Sequence, residues 1–157
     1  MIKFTHKNIG TIFYHRSDFL TDREIENFIR TSTKGHFCQS AQWAAVKHDW
    51  TRKTVAVTDG TGNIKGAISF LLRKTPMLPY HLMYAPRGPV CDPGDAETLN
   101  ALIGKSKELA KQCRGYIIKL DPDIPVHNAG FIKTLEDAGF SRAAGKNFDA
   151  VQPNFVF

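Results

Sequence analysis

The 157-residue sequence is poor in the residues that usually organise a site by themselves. Cys38, Cys91 and Cys113 are its three cysteines, far apart and in no CxxC spacing, which excludes a disulfide framework or a thiolate zinc centre. They read as small, partly buried hydrophobes. No two of the six histidines (His6, His15, His36, His48, His81, His127) stand four residues apart with a carboxylate between them, so the common helical metal motif is missing and no metal is expected. The sequence has no G-x-S-x-G elbow and no recognisable Ser/His/Asp or Cys/His set, which argues against a hydrolase with a covalent intermediate. No apolar run approaches the ~20 residues that cross a bilayer, and the start, MIKFTHKNIGTIFYH, has no uninterrupted apolar stretch like that of a signal peptide. A cytoplasmic location is expected. Net charge is +6, which favours an anionic partner. The cations are spread along the chain without the run or aromatic interleaving of a nucleic-acid stripe, so charge alone names no such partner.

What the sequence does have is a short segment of proline and glycine between apolar runs, residues 84–90 (YAPRGPV). Each proline fixes φ at roughly −65° and removes a backbone donor, so the segment reads as an irregular crossing between strands and a poor central strand. On that frame Arg87 presents a planar fork of donors suited to carboxylate or phosphate, and Gly88 permits close approach. An ordinary loop carrying a solvated arginine is the alternative.

The rest of the chain supplies one domain of strands and helices, with 42% apolar and 23% charged residues, the mix of a soluble globular protein. A short strand is expected at 11–14. Thr21 and Glu24 make a T-x-x-E capping box, with Leu20 and Ile25 as its hydrophobic staple, and open a helix to about residue 31. Ser40 caps a second helix whose Trp43, Val46, Lys47 and Trp50 fall along one face, placing Lys47 between two indoles. Such a lysine either lays its stem on aromatic surface or holds a phosphorylated ligand. A hairpin follows over 54–58 and 64–72, turned by DGTGN, whose context of strand to strand rejects a phosphate loop. A third strand covers 80–84. The longest helix starts after Asp95 and stops at Gly115, a buried strand occupies 116–120, Asn128 caps the last helix with Gly139 and Phe140 at its end, and a final strand is expected over 148–157.

Asp121, in the Asp-Pro-Asp turn that closes the 116–120 strand, is the best placed carboxylate for chemistry, because open α/β sheets bind ligands beyond the carboxyl ends of their strands. Asp123 is its rival, and a plain turn-forming role is the alternative for both.

Five strings, FCQSAQWAAVKHDW, LMYAPRGPVCD, YIIKLDPDIP, LEDAGF and VQPNFVF, resemble in order and spacing the N-terminal half of the FemABX peptidyltransferases, from residue 37 to residue 157. The order of elements, helices and a β-meander, then helix, strand, helix and strand, is that of an α/β fold, a mixed sheet with flanking helices on both faces, and the resemblance implies that this is the GNAT acyltransferase-like fold. It implies one such domain over residues 1–157, the first half of a two-domain protein whose second domain is absent; the apolar ending Phe155-Val156-Phe157 carries the same expectation. It further implies transfer of an amino acid from aminoacyl-tRNA, a co-substrate and not a cofactor, to the stem peptide of a peptidoglycan precursor, either UDP-MurNAc-pentapeptide or its lipid-linked form. The lysine of the family's W-A-x-V-K string and the tryptophan three residues later help hold the diphosphate; here they are Lys47 and Trp50, with His48 and Asp49 between them. The tyrosine that opens the strand before D-P-D matches Tyr116 as a second precursor contact, and the aspartate matches Asp121 as the catalytic carboxylate. Tyr84 and Arg87 complete the expected precursor site. An acyl-coenzyme A-dependent N-acyltransferase and a non-catalytic anion- or RNA-binding module are the alternatives.

Overall fold

The computed structural model describes residues 3–6, 9–13, 20–125 and 127–142. Strands β1 (Lys3–His6) and β2 (Ile9–Phe13) pair antiparallel as a separate ribbon, so the strand expected at 11–14 begins two residues earlier; Tyr14 and the strand expected at 148–157 lie outside the described residues. Helix α1 (Asp22–Thr31) starts on the capping box: Glu24 N donates to the Thr21 hydroxyl at 3.2 Å, and Thr21 N donates back to the Glu24 carboxylate at 2.8 Å. A 3-10 turn (Phe37–Gln39) leads into the short α2 (Ala41–Val46), capped by Ser40. Then follow β3 (Thr51–Thr58), β4 (Ile64–Lys74), β5 (His81–Pro86), β6 (Val90–Cys91), α3 (Ala96–Gln112), β7 (Gly115–Asp121) and α4 (Ala129–Asp137).

The sheet runs β3-β4-β5-β7, with β6 pairing against β4 further along. Only β5 and β7 are parallel, which makes the sheet mixed. Successive residues of β4 serve opposite faces, as the pleat requires: Ile68, Phe70 and Leu72 join the core under α3 and α4, whereas Ala67 packs with Ile25 and Ile29 of α1. Helices therefore cover both faces.

Four local expectations are corrected. Strand β7, expected to be buried, has no buried residue, and its Tyr116 and Ile117 are exposed. Helix α2 ends at Val46, so Lys47 caps it and Trp50 lies beyond it, in a tight turn closed by Trp50 N donating to Lys47 O at 2.9 Å. The residues of 84–90 are not all irregular: Tyr84, Ala85 and Pro86 finish β5, a central strand, and only 87–89 break away, with Arg87 at φ 56° and a cis Gly88–Pro89 bond. Finally, α3 is stopped by Arg114, which takes the left-handed conformation at φ 53°. Gly115 is needed for another reason, since a Cβ there would meet Met83 Sδ at 2.7 Å and Ala110 Cβ at 3.2 Å. The end of α4 follows the sequence reading, with Phe140 N donating to Leu135 O at 3.0 Å and Gly139 N to Glu136 O at 2.9 Å, the two bonds of a Schellman ending.

Asp95, the cap of α3, accepts from Thr98 N at 2.9 Å and from the Thr98 hydroxyl at 2.8 Å, and lies 3.3 Å from Lys65 Nζ. The Thr98 bonds, and after them Lys65, hold its carboxyl below the usual carboxylate range. The unfolded chain therefore takes up this proton first on acidification, and the stabilisation, complete above about pH 4, is lost as pH falls through the folded value. Asp95→Ala is expected to cost about 1 kcal/mol at neutral pH. Urea unfolding should find that gap narrowed at pH values below that of a free aspartate; an unchanged gap would mean that the cap acts without its charge.

Candidate functional site

The carboxyl ends of β5 and β7 are built side by side, because the parallel register sets Tyr84 beside Lys119 and Pro86 beside Asp121. The Tyr84 hydroxyl faces Asp121 Oδ2 at 3.5 Å. Just past β5, Arg87 brings Nη1 to 4.0 Å from Asp123 Oδ1, and Lys34 Nζ approaches Asp123 Oδ2 at 3.7 Å. The two aspartates are thereby told apart. Asp123 faces two cations and serves as their counter-ion, whereas Asp121 is half-buried at the strand end and oriented by a phenol.

The position of Arg87 is set by a residue the sequence reading passed over. Strand β4 is paired with β3 along one edge, but on its other edge it pairs with β5 only over residues 71–74 and with β6 at residues 66–67, so residues 68–70 lack a strand on that side. The side-chain amide of Gln39, fully buried, fills that gap. Ser69 N donates to Gln39 Oε1 at 2.7 Å, and Gln39 Nε2 donates to Ser69 O at 3.1 Å and to Pro86 O at 2.8 Å. One amide thus stands in for a missing stretch of strand and ties down the residue before Arg87. Gly88 lies directly against it, where a Cβ would come within 2.7 Å of Gln39 Nε2. The clamp is itself braced: Arg52 Nε donates to the Ser69 hydroxyl at 2.6 Å, and Arg52 Nη2 pairs with Glu26, whose carboxylate also accepts from Ala41 N at 2.9 Å.

His36 is the second residue missed. Its Nδ1 accepts from Cys38 N at 3.1 Å, so the neutral ring carries its proton on Nε2 and is a donor, not a base. Burial and then Arg87 lower its pKa, against the opposing pull of Asp123 and Asp121. The buried Cys38 thiol is pushed up mainly by burial while feeling the charges of Arg87, Asp121 and Lys47. The sequence signal for His36 and Gln39 was their place beside and within the FCQS string.

The other expected residues fall elsewhere. Lys47 Nζ sits 4.6 Å from the centroid of Trp43, and Trp50 instead carries Arg73, with its guanidinium carbon 5.6 Å from the ring centroid. His48 and Asp49 are exposed in the turn between them. Tyr116, 59% exposed, lies at the amino end of β7, five residues and so about 16 Å from Asp121. Any ligand touching Asp121, Lys47 and Tyr116 together must be long. Among the described residues no group of His, Cys, Asp and Glu could hold a metal, and no helix is long and apolar enough to cross a membrane.

Comparison with known proteins gives these features a context. A family model described as the FemAB family matches residues 20–147. A lipid II:glycine glycyltransferase of Staphylococcus epidermidis is 36% identical over 143 residues, taking in 87% of this chain and 34% of that protein. A Staphylococcus aureus protein of the same name is 35% identical over 143 residues, with the same coverage. A solved structure described as FemX superposes with a TM-score of 0.69 at 34% identity, covering 78% of this chain and 31% of that one. The chain therefore spans about a third of the length of the curated relatives it matches.

Proposed function

The chain belongs to the FemAB family, and from that premise we propose that it forms the precursor-binding part of a peptidoglycan aminoacyltransferase, acting at the cytoplasmic side on a lipid-linked precursor with aminoacyl-tRNA as donor. The observation that carries this reading is the contact of the Tyr84 hydroxyl with Asp121 at adjoining strand ends, next to Asp123, which Lys34 and Arg87 engage. The acceptor amine of the stem peptide attacks the aminoacyl ester carbonyl. A C–N bond forms, the acyl C–O bond breaks, and the proton given up by the amine passes by way of Asp121 to the departing ribose oxygen. Tyr84 orients the carboxylate. Neutral His36, with its donor Nε2, and the Arg87 charge suit an oxygen on which negative charge develops. The second domain of the two-domain reading would contribute the rest of the donor site, and the acyltransferase-like topology belongs to the same proposal.

Lys47 and Trp50 take the diphosphate in this reading, with Lys47 resting on Trp43 and Arg73 added by the structure as a cation on Trp50. A charge-assisted contact to phosphate contributes about 1.5 to 3 kcal/mol. Lys47→Ala is therefore expected to weaken binding of UDP-MurNAc-pentapeptide by roughly ten- to a hundredfold in calorimetric titration, with Lys47→Arg restoring only part. Unchanged affinity in the alanine variant would leave Lys47 as a stem resting on Trp43, its ammonium in water.

A further inference from the structure

Five of the seven large exposed hydrophobics among the described residues sit at one end of the sheet, opposite Asp121. Met77, Leu78 and Tyr80 lie in the loop joining β4 to β5, and Tyr116 and Ile117 open β7, which the parallel register sets beside the start of β5. Single exposed apolar residues need no explanation, but a cluster at one tip does. Met77 is 101% exposed at φ 63°, a left-handed conformation unusual for a side chain of that size, and the loop is closed beneath it by Thr75 N donating to Tyr80 O at 2.8 Å. The tip is therefore a fixed protrusion and not a groove. Around it stand Arg73, Lys74, Lys111 and Arg114, all exposed. Neither residues 73–81 nor residues 111–119 contain an Asp or Glu.

We infer that this tip docks on the surface of a bilayer containing anionic lipid. An apolar apex with a tyrosine at its base and cations behind it matches an interface that is apolar inside, tolerant of aromatic rings at headgroup depth and negative at its surface. A groove-filling protein partner would call for a concave apolar surface, which a protruding loop does not offer. The purpose of the contact rests on the reading of a lipid-linked acceptor, which it deepens. From the tip inward the molecule presents Met77 and Leu78, then Arg73 over Trp50, then Tyr84 and Asp121. A lipid-linked precursor has the same order of apolar chain, diphosphate and sugar with its peptide. The strand span from His81 to Pro86, about 16 Å, leaves the peptide to reach Asp121 while the lipid stays in the membrane.

The test is flotation of the whole chain with vesicles of phosphatidylcholine, alone or mixed equally with phosphatidylglycerol. Binding to the mixed vesicles is expected, reduced about tenfold or more by Met77→Asp with Leu78→Asp. Lys74→Gln with Lys111→Gln should weaken binding to the mixed vesicles by about fivefold per charge and leave neutral vesicles unaffected. No binding by the unaltered chain, or equal binding by the Met77/Leu78 variant, would overturn the proposal. So would self-association that the same variant abolishes without any vesicle binding, since the tip would then meet a second copy. Soluble UDP-MurNAc-pentapeptide, titrated against the same proteins, separates the two readings. If vesicles are bound through the tip and the precursor is not, the acceptor reading fails while the tip stands; a bound precursor with no vesicle binding gives the reverse.

Discussion

Asp121→Asn is expected to lower turnover by about 10² to 10⁴, measured in a family-length enzyme, with precursor affinity changed much less. The reason is the acceptor amine. With a pKa near 10.4 it is protonated at pH 7 in all but a small fraction, which adds roughly 4 to 5 kcal/mol to the barrier unless some group takes the proton. In the proposed reading Asp121 takes this role, because Tyr84 lies against it at the strand end while Asp123 is engaged by Lys34 and Arg87. The amide keeps the shape and the Tyr84 contact but cannot accept the proton. Asp123→Asn, by contrast, should disturb Arg87 and Lys34 and act mainly on binding. Near-full turnover in a normally folded Asp121→Asn enzyme would return Asp121 to a turn residue.

Gln39→Leu is expected to cost roughly 3 to 5 kcal/mol of stability, at the upper end for one substitution. Leucine matches the volume but leaves Ser69 N–H, Ser69 C=O and Pro86 C=O without the partners that Gln39 gives them, in a buried place where each loss costs about 1 to 3 kcal/mol. Gln39→Glu should be no better, since a carboxylate would face two carbonyls that now receive an N–H. Urea unfolding at a constant m-value checks this. A loss under about 1 kcal/mol would mean that water or a strand shift heals the gap, and that Arg87 is not positioned by Gln39.

What could be read from the sequence was local. The capping box of Thr21 and Glu24, the caps Ser40, Asp95 and Asn128, and the Gly139-Phe140 ending each depend on residues within a turn of one another, and each appears in the structure. The mixed sheet with helices on both faces followed from the order of those elements. Around the candidate site, the strand that ends at Asp121 was legible and its long-range partners were not. Gln39 meets Pro86 across 47 positions and Arg52 meets Glu26 across 26, and nothing in either string announces the other. Lys47 and Trp50 were read as one helical face from their spacing, but spacing says nothing of where a helix stops, and α2 stops before both. Gly115 was assigned to a stop that Arg114 makes, because a glycine needed for tight packing under Met83 looks the same in sequence as one needed for a left-handed turn.

The most direct test is an amide-resonance titration of the nitrogen-15-labelled chain with UDP-MurNAc-pentapeptide. The account predicts saturable shifts at Arg87 and Gly88, at Asp121 and Asp123, and at the Lys47–Trp50 turn. Acetyl-coenzyme A at the same concentration should leave these signals in place. Shifts confined to other surfaces, or an equal response to acetyl-coenzyme A, would contradict the assignment of the β5 and β7 ends as the site of a peptidoglycan precursor.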